Sequence, residues 1–158
     1  MIRILIADDS PQILRALREA LEKHPGWEIC GEASNGLEAV SQTGELNPDV
    51  VVLDLTMPNL NGFQAGHAIH VATPTLPLLL FTQHEFGPQI EQEARNSGFS
   101  GGVNKGSYDL LIAGIESLLR GETFFTSGPS SRLDISSTGQ PTDVAGSAKR
   151  EDALDEAS

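Results

Sequence analysis

The sequence predicts a doubly wound α/β fold, a five-stranded parallel sheet with helices on both faces. Three observations predict it. Four short apolar runs, Ile2–Ala7, Trp27–Cys30, Val50–Leu53 and Leu78–Phe81, recur at spacings that leave room for a helix between each pair, and Gly101–Asn104 is a weaker fifth. Val50–Leu53 and Leu78–Phe81 are apolar throughout, as strands buried on both faces must be. The intervening segments carry helix start and stop signals, and strands alternating with helices imply right-handed crossovers between parallel strands.

Each helix is legible in turn. Ser10 is a good N-cap and Pro11 sits at the favoured first position; Ile13, Leu14, Leu17 and Leu21 follow at helical spacing, and Pro25-Gly26 ends the run. Asn35-Gly36 opens the second helix, which carries Leu37, Ala39 and Val40 and closes at Asn47-Pro48. The third runs from Gly62 to Val71, ended by Thr73-Pro74, and the fourth from Gly87 to Ser97, stopped by Gly98. The fifth runs from Tyr108 to Arg120, with Leu111, Ile112, Ile115, Leu118 and Leu119 on one side and Gly121 behind it.

Bulk composition narrows the function classes. The chain has 158 residues, 39% of them hydrophobic, with one Trp and one Tyr, so residues 1–125 are expected to form one domain with an aliphatic core. A formal charge of -12 argues against non-specific binding to nucleic acid or anionic membrane, which needs clustered Lys and Arg. The single cysteine, Cys30, excludes an intrachain disulfide and fits a reducing compartment; it is expected to be a small buried hydrophobe. The apolar run at the N-terminus is too short for a signal peptide and ends in two carboxylates, and no stretch approaches the ~20 apolar residues that span a bilayer. A soluble, cytoplasmic protein is expected. Residues 126–158 are rich in Ser, Thr, Gly and Asp with almost no large apolar side chain. Such a segment cannot bury enough surface to offset its ordering entropy, and it is expected to be a disordered tail, shorter than a typical domain.

The chemistry concentrates at strand ends, where doubly wound sheets carry their sites. Asp8 and Asp9 follow the first strand and Asp54 follows the third. In the predicted sheet these strands are neighbours, so the three carboxylates converge. Like charges that close raise one another's pKa unless a cation neutralises them, and Mg2+, which takes oxygen ligands from one or two carboxylates plus phosphate, suits the site. Taken alone, Asp-Asp after a strand is also a helix-capping turn. Thr82 and Lys105 end the fourth and fifth strands; a hydroxyl donor and a fixed ammonium are what a phosphorylated Asp54 requires.

The stretches Ile-Leu-Ile-Ala-Asp-Asp-Ser, Asp-Leu-Thr-Met-Pro-Asn-Leu-Asn-Gly, Leu-Phe-Thr-Gln-His and Gly-Val-Asn-Lys-Gly-Ser, in this order and spacing, resemble the receiver domain of two-component response regulators. The wording around Lys105 and the Arg-Gly-Glu-Thr-Phe-Phe-Thr-Ser after the last helix are most similar to the NarL/FixJ type. The resemblance implies a CheY-like, flavodoxin-like sheet in the order 2-1-3-4-5. It implies Asp54 as phosphoacceptor, Asp9 as a direct Mg2+ ligand, Asp8 holding a metal-bound water and the Thr56 carbonyl as a further ligand. Thr82 resembles the switch hydroxyl and Lys105 the lysine that pairs with the phosphoryl group, while Met57-Pro58 and Asn61-Gly62 shape the loop after Asp54. The implied partners are a histidine kinase or phosphotransfer protein as donor, and a downstream protein or a second copy of the chain as target. The implied output face is the fourth helix, fifth strand and fifth helix. Members of the subfamily usually continue into a helix-turn-helix domain, which residues 126–158 are too short to form, so no direct DNA binding is implied. Nor is enzymatic turnover of an external substrate, beyond the domain's own phosphorylation and dephosphorylation.

Two positions depart from that pattern. The residue three before the lysine is often Tyr or Phe and is Gly102 here, so an aromatic relay at that position is absent; the residue after the switch threonine is commonly small and is Gln83 here. They motivate a second reading, a protein-binding or dimerisation module that no longer uses phosphorylation. A third reading, a phosphatase on external substrates, fits poorly because such enzymes need an acid two positions after the nucleophile, where Thr56 stands. His67 and His70 read as ordinary helix surface without a third ligand, and His84 as an exposed loop residue near the site mouth.

Overall fold

The computed structural model describes residues 1–126. The chain alternates β1 (Ile2–Ala7), α1 (Pro11–Glu22), β2 (Trp27–Ala33), α2 (Gly36–Leu46), β3 (Val50–Leu53), α3 (Gly62–Ala72), β4 (Leu78–Thr82), α4 (Pro88–Asn96), β5 (Gly101–Asn104) and α5 (Tyr108–Leu119), followed by β6 (Phe124–Phe125). The strands form one sheet in the order β2-β1-β3-β4-β5-β6, with every pairing parallel. Strands 1–5 and all five helices stand where the sequence places them, in the order 2-1-3-4-5.

Alternation along each strand divides the core into two layers. Ile4, Ile6, Val50, Val52, Leu79 and Phe81 face α1 and α5, where Leu14, Leu17, Leu21, Leu111, Ile115 and Leu118 meet them. Leu5, Ala7, Val51, Leu53, Leu78 and Leu80 face the other way, against Ala39, Ile69 and Ala94 of α2, α3 and α4. This two-sided burial is why β3 and β4 are apolar at every position. Burying both faces also holds the strand ends rigidly, which fixes whatever projects from them.

Four of the five helices, α1, α2, α3 and α5, are capped by side chains, whereas α4 begins at Gly87 without one. Ser10 Oγ accepts from Ile13 N–H, and Ser107 Oγ accepts from Leu110 N–H at 3.1 Å. Asn61 and Gln64 form a reciprocal capping box at the start of α3. Gly98 and Gly121, at φ +96 and +83, reverse the chain behind α4 and α5 in a conformation that costs other residues.

Three features differ from the sequence-based expectation. β2 continues past Cys30 to Ala33. Its pairing with β1 shifts register between Ile4 and Leu5, so that Ile4 faces Ile29 and Leu5 faces Gly31; the interruption of alternation at this bulge obscures the strand, and Cys30 is half-buried rather than fully buried. A sixth strand, only two residues long, lies on the outer edge of β5, with Phe124 opposite Gly101 and Phe125 opposite Gly102. Thr126 N–H then donates to the Gly102 carbonyl at 3.0 Å, so the sheet holds the first residue of the expected tail. The remaining residues of that tail lie outside the described residues.

Gly102 shows why an aromatic is missing from β5. A Cβ there would lie 2.1 Å from Cζ of Phe86. Phe86 comes from the β4–α4 loop, is 2% exposed, and has its ring 6.1 Å from that of Phe125. An aromatic from the neighbouring loop thus fills the space that a side chain at 102 would need. Gly102→Ala should therefore destabilise the domain by about 1–3 kcal/mol, the usual cost of overpacking a core. Denaturant titration of G102A, F86A and the double variant checks this: the double variant should lose less than the sum of the singles, because each change relieves the other.

Candidate functional site

The backbone at the carboxyl edge of the sheet is fixed before any side chain is considered. Asp54 N–H donates to the Ala7 carbonyl at 2.9 Å, Asp8 N–H to the Ala33 carbonyl at 3.0 Å, and Lys105 N–H to the Thr82 carbonyl at 2.8 Å. Strand pairing therefore continues one step beyond β1, β3 and β5 and aims the next side chains into one cleft. Gly62 lets the loop after Asp54 fold back: its N–H donates to the Leu55 carbonyl at 2.7 Å, and a Cβ at 62 would lie 2.4 Å from the Asp54 carbonyl oxygen.

Asp8, Asp9 and Asp54 each direct a carboxylate oxygen to within 4.8 Å of the others. Asp8 and Asp54 are buried and Asp9 is exposed. The Lys105 ammonium reaches in from the far side, 2.6 Å from Asp8 Oδ2 and 3.1 Å from Asp54 Oδ1, with its side chain only 10% exposed. The other Asp8 oxygen accepts from Ser10 N–H at 2.9 Å. Thr82 is fully buried, and its Oγ1 accepts from His84 N–H at 3.1 Å. Asp8, Asp9, Asp54, Thr56, Thr82 and Lys105 all line this cleft, whose volume is about 370 Å³. Every residue the sequence assigns to the site is thus brought together.

The electrostatics follow from crowding. Burial raises the Asp54 pKa above the ordinary Asp value, the Asp8 charge raises it further, and Lys105 opposes both. Burial also works against the Lys105 ammonium, but the Asp8 hydrogen bond and the charges of Asp54 and Asp8 together lift its pKa above the usual Lys value. Lys105 therefore stays charged. Three carboxylates and one ammonium leave about two negative charges uncompensated when all are ionised. Hard oxygen donors with that balance fit a small divalent cation.

The sequence alone leaves Asn104 out of the site and gives His84 only an exposed place near its mouth. His84 is exposed, yet its Nε2 lies 3.1 Å from Thr56 Oγ1, bridging the cleft mouth. Asn104 holds the His84 carbonyl from the end of β5. Both contacts depend on how the β4–α4 loop folds, and no spacing in the sequence encodes that. His67 and His70 join no metal-type cluster among the described residues, and Gly98 lies against the His70 ring.

A doubly wound sheet whose first, third, fourth and fifth strands deliver Asp-Asp, Asp, Thr and Lys into one cleft defines a receiver of two-component signalling. The chain belongs to the response regulator receiver domain family, whose model matches residues 4–115. It is 37% identical over 110 residues to the protein-glutamate methylesterase/protein-glutamine glutaminase of Alkalilimnicola ehrlichii, an alignment covering 69% of this chain and 28% of that protein. The matching part of this chain therefore spans little more than a quarter of that relative. Among solved structures, it resembles a LuxR-family two-component response regulator from Aurantimonas sp. (34% identity, TM-score 0.75, 80% of this chain and 89% of that one). It also resembles the response regulator domain of Thermotoga maritima CheB (30% identity, TM-score 0.68, 77% and 95%).

Stability should respond to the crowded charges. A carboxyl whose folded-state pKa is raised costs stability when ionised; the cost is complete above the folded pKa and absent below the unfolded value of about 3.9. In metal-free buffer at neutral pH, Asp54→Asn should stabilise the domain by on the order of 1 kcal/mol, since it removes a like charge beside Asp8 while Lys105 keeps Asp8 as partner. The gain should shrink as pH falls through the carboxylate range. Urea unfolding of both proteins in a chelator, at neutral and at acidic pH, reads this directly.

Proposed function

We propose that this receiver accepts a phosphoryl group on Asp54, from a histidine kinase or phosphotransfer protein, and uses it to switch a protein-interaction surface. The observation that carries the reading is the Asp54 carboxylate itself: buried, paired with Lys105 at 3.1 Å and grouped with Asp8 and Asp9. Asp9, Asp54 and the Thr56 carbonyl would hold Mg2+ directly, with Asp8 holding one of its waters. The cation supplies charge neutralisation for the carboxylates and the incoming phosphoryl oxygens.

The remaining roles belong to the chain's own groups. An Asp54 carboxylate oxygen attacks phosphorus in line with the donor atom; the P–O bond to Asp54 forms as the bond to the donor breaks, and the donor leaves with the electron pair. Lys105, held charged by its carboxylate partners, follows the developing charge on the phosphoryl oxygens. The Thr82 hydroxyl donates to one of them, and in doing so biases the β4–α4 loop that its oxygen anchors through His84 N–H. Hydrolysis reverses the bond change, with water attacking phosphorus and Asp54 leaving as carboxylate. The domain in this reading promotes only its own phosphorylation and dephosphorylation.

The switched surface lies on α4, β5 and α5, and here it includes Phe125, because β6 lines the outer edge of β5. Arg95 of α4 stacks over the Phe125 ring, 4.3 Å from its centre, so helix and edge strand form one surface that binds a downstream protein or a second copy of the chain. We place the protein in the cytoplasm; among the described residues no helix is long and apolar enough to cross a membrane. A phosphorylation-independent module is not favoured, since it leaves the costly grouping of three carboxylates unexplained.

Incubation with Mg2+ and a small phosphoryl donor should add one phosphoryl group, about 80 Da by intact mass, and nothing to Asp54→Ala or to wild type in a chelator. A concurrent change in elution volume would indicate switched self-association. A folded, Mg2+-binding protein that no donor or kinase modifies would overturn the proposal in favour of a constitutive binding module.

A further inference from the structure

Asn104 is the last residue of β5 and lies opposite Thr82 in the β4–β5 register. Both ends of its amide are used. Oδ1 accepts from Gly106 N–H at 2.9 Å, closing the turn that follows Lys105. Nδ2 donates to the His84 carbonyl at 3.1 Å, twenty residues away in sequence. The first bond is an ordinary local turn contact of Asn or Asp; the second is not needed by the turn. It ties the β5–α5 turn, which carries Lys105, to the β4–α4 loop, whose His84 N–H is bound to Thr82 Oγ1 at 3.1 Å. A single planar amide thus spans the two segments that deliver the ammonium and the hydroxyl. Lys105 N–H bonded to the Thr82 carbonyl at 2.8 Å is the only other link between these segments at that level among the hydrogen bonds described, and it fixes backbone, not the loop beyond.

We infer that Asn104 is a positioning residue for phosphoryl transfer at Asp54: through the His84 carbonyl it holds the Thr82 hydroxyl and Lys105 ammonium in register with each other. The inference rests on the reading of Asp54 as phosphoacceptor. Its physical basis is that phosphoryl transfer is accelerated mainly by placement of charge and donors, so small displacements are expensive in rate. Asn is the residue type that satisfies both contacts at once, because it presents a donor and an acceptor on one short rigid group. Asp would keep the Gly106 contact but face the His84 carbonyl with a second oxygen. Ala would lose both.

The test compares the 158-residue chain as wild type, N104A, N104D and N104S with phosphoramidate as donor and Mg2+ present. It measures the phosphorylation rate constant, the first-order loss of the phosphoryl group, Mg2+ affinity by calorimetry and the melting temperature. N104A, N104D and N104S should each be phosphorylated about tenfold more slowly, with Mg2+ affinity unchanged in the uncharged N104A and N104S because Asp8, Asp9 and Asp54 are untouched. N104D keeps the turn acceptor and loses the link between loops but adds a charge beside Lys105. N104S, whose hydroxyl keeps the acceptor without a charge, isolates the link, and a slow N104D beside an N104S at the wild-type rate would overturn the inference by assigning the effect to the charge. N104D at the wild-type rate, whatever N104A does, would overturn the inference by assigning any effect to the turn. A slow N104S that has lost Mg2+ affinity in proportion would also overturn it, by showing a general loss of site structure. Wild type that takes up no phosphoryl group overturns the phosphoacceptor reading and this inference together; an active wild type with unaffected variants overturns this inference alone.

Discussion

Holding three carboxylates within 4.8 Å of one another at the end of a buried sheet is electrostatically unfavourable, and the surrounding structure is arranged around that constraint. The sheet supplies the rigidity: β1 and β3 are buried on both faces and hydrogen-bonded one residue past their ends, so Asp8 and Asp54 cannot splay apart. Lys105 offsets part of the repulsion by contacting both. The remainder favours a divalent cation and an incoming group whose charge Lys105 and Thr82 can meet. In the function proposed above, repulsion in the resting site and affinity for cation and phosphoryl group would be two aspects of one arrangement.

Much of this was legible in the sequence because the relevant signals are local or periodic. Val50–Leu53 announces a two-sided strand, Ser10-Pro11 announces a helix start, and the positions of Asp8, Asp9, Asp54, Thr82 and Lys105 follow from counting to the ends of strands. What escaped depends on contacts between segments distant in sequence. Phe124–Phe125 is too short for a period-2 pattern, and its pairing with β5 becomes apparent only once α5 returns the chain to that edge. Cys30 sits where β2 shifts register, so alternation fails there. His84 and Asn104 matter through a loop whose course no spacing encodes.

Gly102 illustrates how a departure from a family pattern acquires a physical cause. Read alone, glycine at that position removes an aromatic. In the folded chain Phe86 occupies the space above it, and Phe125 and Arg95 extend the contact to the edge strand and to α4. The aromatic group near the outer edge of the sheet is therefore supplied by the β4–α4 loop, the same loop that His84 N–H ties to Thr82. The loop joins the cleft to the outer surface through a few residues, with His84 on the cleft side and Phe86 on the other.

Chemical trapping decides whether Asp54 is the residue that carries the phosphoryl group. An acyl phosphate on an aspartate is reduced by borohydride to the alcohol, converting that residue to homoserine, which peptide mass spectrometry locates. After incubation with donor and Mg2+, the account predicts homoserine at position 54 and nowhere else. Conversion at Asp8, at Asp9 or at a carboxylate outside the cleft, or no conversion in a protein shown to carry the phosphoryl group, would contradict it.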